Sequence, residues 1–314
     1  MNSNSKLVAL TGGVGGAKLA AGLAAIVPPD KLLIVANTGD DFEHLGLKIC
    51  PDLDSVMYAL AGINDAKRGW GVKDESWQFL HALEQLNGET WFQLGDRDLA
   101  TQIMRTQLLG SGQSLSQATK RLTESLGIKH RLVPMSDQPV RTFVKTATAN
   151  LPFQQYFVAE RCEPVVTGFY FDAVEQASVQ ADLASWLTDE KLLGVVICPS
   201  NPFVSVDPIL ALPTLRDALA VARIPVVAVS PLIAGRAIKG PAAKMMEELN
   251  MPRDALGVAQ HYQGLVNLFV LDRVDAMLAP AIEELGMQTL VTPTLMRNAH
   301  DRQTLAQTII DALN

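Results

Sequence analysis

The chain has few cysteines, few aromatic residues and no excess of positive charge. Its three cysteines, Cys50, Cys162 and Cys198, are scattered through 314 residues without metal-ligand spacing. That excludes a disulfide-stapled fold and a zinc-finger type of site, so the thiols read as reduced and structural. The net charge is −7, and no basic stripe interleaved with aromatics occurs, which argues against a nucleic-acid partner. The best apolar run, near residues 218–234, is broken by Arg223, Pro225 and Pro231, so no membrane span is expected. Met1 to Lys6 is polar and leads straight into a strand, without the apolar core of a secretion signal. A soluble, cytoplasmic protein is the expectation.

What is present is apolar sequence in an α/β rhythm. Hydrophobic residues make up 48% of the chain, enough for a large core. Apolar strands at Leu7–Leu10, Lys31–Ala36, Leu192–Cys198, Pro225–Val229, Leu268–Leu271 and Thr289–Val291 alternate with helical patterns. The helices are expected at Lys18–Ile26, Ile209–Ala222, Pro241–Leu249, Val274–Leu285 and Arg302–Leu313. Near-continuous apolar strands suit a sheet buried on both faces. The expected fold is α/β: a doubly wound, mostly parallel Rossmann-like sheet in a single unit spanning 1–314.

The middle departs from that rhythm. Residues 70–127 carry helical patterns at Asp74–Leu86, Asp98–Leu109 and Ser114–Leu126, and read as an inserted helical cap. Ser114 followed by Gln117 is a capping-box signature. Residues 130–172 read as a β-rich excursion, with short strands at Arg131–Pro134, Arg141–Lys145 and Val165–Phe171.

Doubly wound sheets bind ligands beyond the carboxyl ends of their strands, so the loops there hold the candidate chemistry. After the first strand comes Gly12-Gly13-Val14-Gly15-Gly16-Ala17-Lys18. A glycine run opening a helix lets backbone N–H groups approach a phosphate, and Lys18 would add a charge. It is neither a Walker loop nor a clean dinucleotide fingerprint; a tight turn that merely packs the helix on the sheet is the plainer alternative. Asp40 and Asp41 follow the second strand, and Asp52 and Asp54 open the next helix. Hard oxygen donors of this kind suit Mg²⁺, although an aspartate in a first helical turn can equally serve as a cap. Asp96-Arg97-Asp98 reads either as part of the site or as a cap with a surface ion pair. Ser200 and Asn201, between Pro199 and Pro202, follow the strand Leu192–Cys198, and Lys239-Gly240-Pro241 opens a later helix as a second anion site. His44 lies close to the carboxylates and could contact substrate. No Ser-His-Asp order or Cys-His pairing stands out.

Together these motifs resemble the 2-phospho-L-lactate transferase family of coenzyme F(420) biosynthesis. The resemblance rests on the glycine loop, Asn37-Thr38-Gly39-Asp40-Asp41, Cys50-Pro51-Asp52-Leu53-Asp54, Arg68-Gly69-Trp70-Gly71, Leu94 to Ala100, Pro134 to Asp137, Pro199 to Pro202 and Lys239-Gly240-Pro241, in that order. It implies a Mg²⁺-dependent transfer of a phospho-acid (2-phospholactate, enolpyruvyl phosphate or 3-phosphoglycerate). The donor would be its guanosine diphospho-derivative, the acceptor the ribityl hydroxyl of the deazaflavin Fo, and the leaving group GMP. Asp40 and Asp54 would hold the metal and serve catalysis. Gly12, Gly13, Gly15, Gly16, Lys18, Ser200, Asn201, Lys239 and Gly240 would hold the nucleotide. Asp54, Trp70, Gln93, Asp96 and Arg97 would face Fo. A homodimer is expected on the same basis. The alternative is a non-catalytic, nucleotide-sugar-binding regulatory protein on the same fold, which would be expected to carry Gly-Asp-Ile/Leu-Arg where this chain has Pro51-Asp52-Leu53-Asp54. A nicotinamide-dependent dehydrogenase is disfavoured by the broken fingerprint.

Overall fold

A computed structural model describes residues 5–221, 224–237 and 240–314. Its centre is a seven-stranded sheet of β1 (Lys6–Thr11), β2 (Leu32–Ala36), β3 (Arg131–Pro134), β4 (Leu192–Ile197), β5 (Val226–Val229), β6 (Leu268–Leu271) and β7 (Gln288–Val291). The spatial order is β7-β6-β5-β4-β1-β2-β3, and every neighbouring pair is parallel. This is a doubly wound α/β fold, as expected. The order reverses between β1 and β4, so the crevice beyond their carboxyl ends is the topological switch point.

Strand periodicity decides which face each residue covers. Leu7, Ala9, Leu32, Ile34, Val196 and Val227 point to one side, where helices α1 (Gly13–Ile26) and α2 (Pro51–Ala61) and the C-terminal helix Ala299–Leu313 supply Leu19, Leu23, Val56, Met57, Leu305 and Ile309. Val8, Leu10, Leu33, Val35, Val195 and Ile197 point the other way, towards Leu183, Trp186, Ile209, Met245 and Val258. Both faces are therefore sealed, which is why the strands carry almost no polar residue.

Between β2 and β3 lie the hairpin Phe42–His44/Leu47–Ile49, α2, and helices α3 (Gln78–Gln85), α4 (Asp96–Gly110) and α5 (Leu115–Ser125). The three helices expected in the 70–127 stretch form, the first only from Gln78 because Asp74 takes a left-handed φ of 55°, and the Ser114–Gln117 capping box forms. Its helices have different allegiances. The hairpin, α3 and α4 share a small core of Ile49, Leu94 and Leu99 with Phe42, Phe79 and Phe92. Leu115 and Leu122 of α5 join the main core beside β2 and β3.

Four element readings change: the helix expected from Lys18 already begins at Gly13, and the one expected at Val274–Leu285 is a 3₁₀ turn, Arg273–Leu278, followed by a short helix, Ala279–Glu283. Arg131–Pro134 belongs to the main sheet, as the edge strand in register with Leu33–Ala36, while 141–146, 150–152 and 166–172 form a separate antiparallel sheet. The helix expected at Ile209–Ala222 is broken into Asp207–Leu210 and Leu215–Val221. Pro213 disfavours helix in the residue before it, and Thr214 takes a left-handed φ of 67°. Ala222 and Lys239 lie outside the described residues. No described helix is long and apolar enough to cross a membrane.

Candidate active site

The loops after β1 and β4 meet at the switch point. The Ser200 hydroxyl accepts from Gly12 N–H (3.1 Å) and donates to Gly12 C=O (2.8 Å). A Cβ on Gly15 would strike the Pro199 carbonyl, and one on Gly16 would strike the hydroxyls of Thr11 and Ser200. These two glycines are therefore needed so that the loops can touch. Gly13 starts α1 with φ of +59°, a conformation costly for any side chain. Its N–H donates to the Asp52 carboxylate. The chain thus places its own anion at the helix N-terminus, where the dipole favours negative charge. Lys18 donates to the Met296 carbonyl at 3.3 Å. Asn201 accepts from Phe203 N–H at 3.0 Å, closing a local turn. Gly240 is exposed, with φ of +79°.

The carboxylates form two joined groups. Asp52 and Asp54 are two residues apart in α2, so about 200° separates them around the helix. Asp52 turns towards the glycine loop, and Asp54 towards α4. On the first side Asn37 is the hub: its amide lies 3.2 Å from Asp40 Oδ1, 3.0 Å from Asp52 Oδ2 and 3.1 Å from the Val204 carbonyl. Gln154 adds a longer bond to Asp40 at 3.3 Å. Asp41 accepts from the Cys50 thiol at 3.0 Å and has Lys48 at 3.9 Å, but its Oδ1 is buried without a partner.

Burial penalises these charges. It pushes Asp40 well above the ordinary carboxylate range, with the neighbouring Asp52 and Asp41 adding to the effect. Burial also raises Asp41, against the pull of Lys48, and takes Asp52 to about 6 despite bonds from Asn37 and Gly13.

On the second side Asp54 is gripped by Arg105 of α4. Both Nη nitrogens bond its two oxygens, and Gln102 Nε2 adds a bond at 2.9 Å. Gln102 also donates to Asp98 Oδ1 at 2.8 Å, which accepts from the Tyr58 hydroxyl at 2.7 Å. All five side chains are buried. Burial works against the Arg105 charge, but Asp54 more than offsets it and holds the guanidinium firmly protonated. Burial and the nearby Asp54 raise Asp98 to about 6. Cys50 joins the two groups, since its thiol feels Arg105, Asp41 and Asp54 together.

The family is decided at the level of the whole chain. The family model for "2-phospho-L-lactate transferase CofD" matches residues 7–310. The chain belongs to the 2-phospho-L-lactate transferase CofD family. A 2-phospho-L-lactate transferase of Methanosarcina mazei is 36% identical, covering 98% of this chain and all of that protein. A phosphoenolpyruvate transferase of Streptomyces griseus is also 36% identical, covering 98% of each. Among solved structures, a member of the UPF0052 family from Bacillus halodurans superposes with a TM-score of 0.65 at 13% identity, covering 98% of this chain and 99% of that one. At that identity the likeness concerns the fold.

Within this CofD-family frame the residues expected to face Fo are divided: Asp54 is on α2, Trp70 on the loop before α3, Gln93 on the loop before α4, and Asp96 and Arg97 open α4. Trp70 is 38% exposed. The Arg68 guanidinium lies 4.9 Å from its ring centre and 4.8 Å from that of Trp77. Gln93 and Arg97 are exposed. Asp96 caps α3, accepting from Ser76, Gln78 N–H and Phe79 N–H. Arg97 donates to the Lys73 carbonyl at 2.7 Å. Asp96 and Arg97 therefore brace the 73–79 loop. His44 is buried against Phe42, Trp91 and Phe92, and burial lowers its affinity for a proton.

Sequence reasoning left out Arg105, Gln102, Tyr58, Gln154 and the hub role of Asn37. One signal was available: Asp98, Gln102 and Arg105 recur at i, i+4 and i+7, a polar stripe on one face of an otherwise mixed helix.

Proposed function

We propose that the chain moves a phospho-acid group from its guanosine diphospho-donor to the ribityl hydroxyl of Fo, releasing GMP, in coenzyme F(420) biosynthesis. The observation that carries this reading is the buried carboxylate group beside the glycine loop at the switch point. A site that gathers Asp40, Asp41, Asp52 and Asp54 is poorly suited to an anionic diphosphate unless a cation joins them.

The donor set fits Mg²⁺. The oxygens are hard, Asp41 Oδ1 is buried without a partner, and burial first, then repulsion from Asp52 and Asp41, penalises the Asp40 charge that a cation would offset. Mg²⁺ is commonly held by one or two carboxylates plus substrate phosphates, not by an all-protein cage. Among the described residues no group of three or more His, Cys, Asp and Glu side chains forms such a cage. Asp40 and Asp54 would hold the ion, which would neutralise the diphosphate and the charge developing on the leaving phosphate.

The protein's own work is positioning, as in phosphoryl transfer generally. The glycine loop, Ser200, Asn201, Lys18 and the Lys239–Gly240 segment hold the guanosine diphosphate portion. Trp70, on the loop before α3, and Gln93, on the loop before α4, cover the deazaflavin, and Asp96 and Arg97 brace the 73–79 segment between them. Asp54 or Asp40 orients the ribityl hydroxyl and takes its proton. The hydroxyl oxygen bonds to the β-phosphorus, and the bond from that phosphorus to the bridging oxygen breaks, that oxygen leaving with GMP.

Thermal melting tests the reading. GDP should raise the melting temperature, and more so with Mg²⁺ present. A shift with a uridine nucleotide sugar and none with any guanine nucleotide would favour a regulatory, non-catalytic role.

A further inference from the structure

Asp54 differs from its neighbouring carboxylates in its company. Asp40 and Asp52 are held by amides and a backbone N–H, and Asp41 by a thiol and an ammonium 3.9 Å away. Asp54 alone among them meets the two-pronged face of a guanidinium. A fork of N–H donors fixes the plane of a carboxylate as well as its place, which a point charge cannot do. The bonds are unevenly shared: Oδ2 accepts from Arg105 Nη1 and Gln102, while Oδ1 accepts from Arg105 Nη2. Oδ1 therefore keeps an acceptor direction for something else.

Arg105 is itself braced. It donates to Gln102 Oε1; Gln102 donates to Asp98, and Asp98 accepts from Tyr58. Tyr58 stands four residues after Asp54 on α2, so the bonds run from α2 to α4 and back. Holding two helices together does not need this arrangement. Burying an arginine and two carboxylates carries a heavy desolvation cost, and packed apolar side chains of similar volume often do as well or better.

We propose that Arg105 is the positioning residue for Asp54, fixing the plane in which that carboxylate would be presented to the divalent cation of the transfer site. This rests on the reading that Asp54 serves the transfer. Arg105 touches neither substrate nor metal and acts through Asp54 alone.

Arg105→Lys tests it, because it keeps the charge and removes the fork. Mn²⁺ is titrated into the protein with GDP present, free Mn²⁺ is read by electron paramagnetic resonance, and kcat and donor KM are measured alongside. Loss of a group that orients a metal ligand typically lowers metal affinity or activity by about 10- to 100-fold. Mn²⁺ affinity and kcat should fall in that range, while metal-free GDP binding stays at the wild-type value. A folded Arg105→Lys with wild-type or tighter Mn²⁺ binding and full kcat would overturn the proposal. If that variant does not fold, Gln102→Met removes the brace on Arg105 together with one bond to Asp54 Oδ2 and leaves the ion pair; wild-type Mn²⁺ affinity and kcat there overturn it as well. An Asp54→Asn protein that binds Mn²⁺ and turns over normally would instead refute the role given to Asp54.

Discussion

The guanidinium of Arg105 on α4 closes on both carboxylate oxygens of Asp54 on α2, and both side chains are buried. Removing one partner of such a pair leaves the other charge buried and alone, at a cost of about 3–5 kcal/mol. Asp54→Asn should therefore abolish transfer and lower stability in urea by that order, while circular dichroism still reports a folded protein. Full turnover at saturating Mg²⁺ would contradict the role of Asp54.

The glycine loop gives a prediction that separates close approach from backbone strain. At Gly13 a Cβ has room, but the positive φ remains, so Gly13→Ala should cost about 1–2 kcal/mol. At Gly15 the obstacle is the backbone carbonyl of Pro199, which cannot rotate away as a side chain can. Gly15→Ala should push the β1 and β4 loops apart and weaken GDP binding more than Gly13→Ala does. Equal GDP affinities for the two variants would contradict this account of the loop.

Asp98 makes stability depend on pH. Its pKa is about 6 in the folded chain, raised by burial and by Asp54, against about 3.9 when unfolded. The folded state holds this proton more tightly, so the contribution is fully present below about pH 4 and is lost as pH rises through about 6. From this group alone the wild type should lose on the order of 3 kcal/mol in all. Asp98→Asn should flatten that part of the urea-stability profile. An unchanged pH slope in the variant would refute the assignment.

Much of the fold could be read from the sequence because both faces of the sheet are sealed. Strands such as Leu32–Ala36 have no polar residue to obscure them, and the glycine loop marks the place where the loops after β1 and β4 must touch. The placing of Arg131–Pro134 could not be read in the same way. A four-residue strand ending in proline joins the main sheet only through its register with Leu33–Ala36. At the site, Asp40, Asp54 and Ser200 stood out because they follow strand ends or open a helix. Arg105 did not, because an arginine in a mid-chain helix reads as a solvated residue until α4 docks over α2. The divergence of Asp52 and Asp54 follows from helix geometry, but their partners depend on tertiary contacts.

Asp96 was expected to face substrate, and its oxygens instead take Ser76 and the first N–H groups of α3. Asp96→Ala should speed amide hydrogen exchange at Gln78 and Phe79 and leave exchange in β1 and β2 unchanged. Wild-type protection at those two amides would show that the cap is dispensable.

The central claim is a group transfer at the carboxylate-lined switch point. The direct measurement is to incubate the purified protein with Fo, Mg²⁺ and each guanylated phospho-acid in turn, and to weigh the products. The account predicts a phosphodiester of Fo with at least one of the acids, an equal amount of GMP, and neither product when Mg²⁺ is chelated or Asp54 is replaced by Asn. No product from any guanylated acid, with the folded protein stabilised by a uridine nucleotide sugar instead, would contradict it.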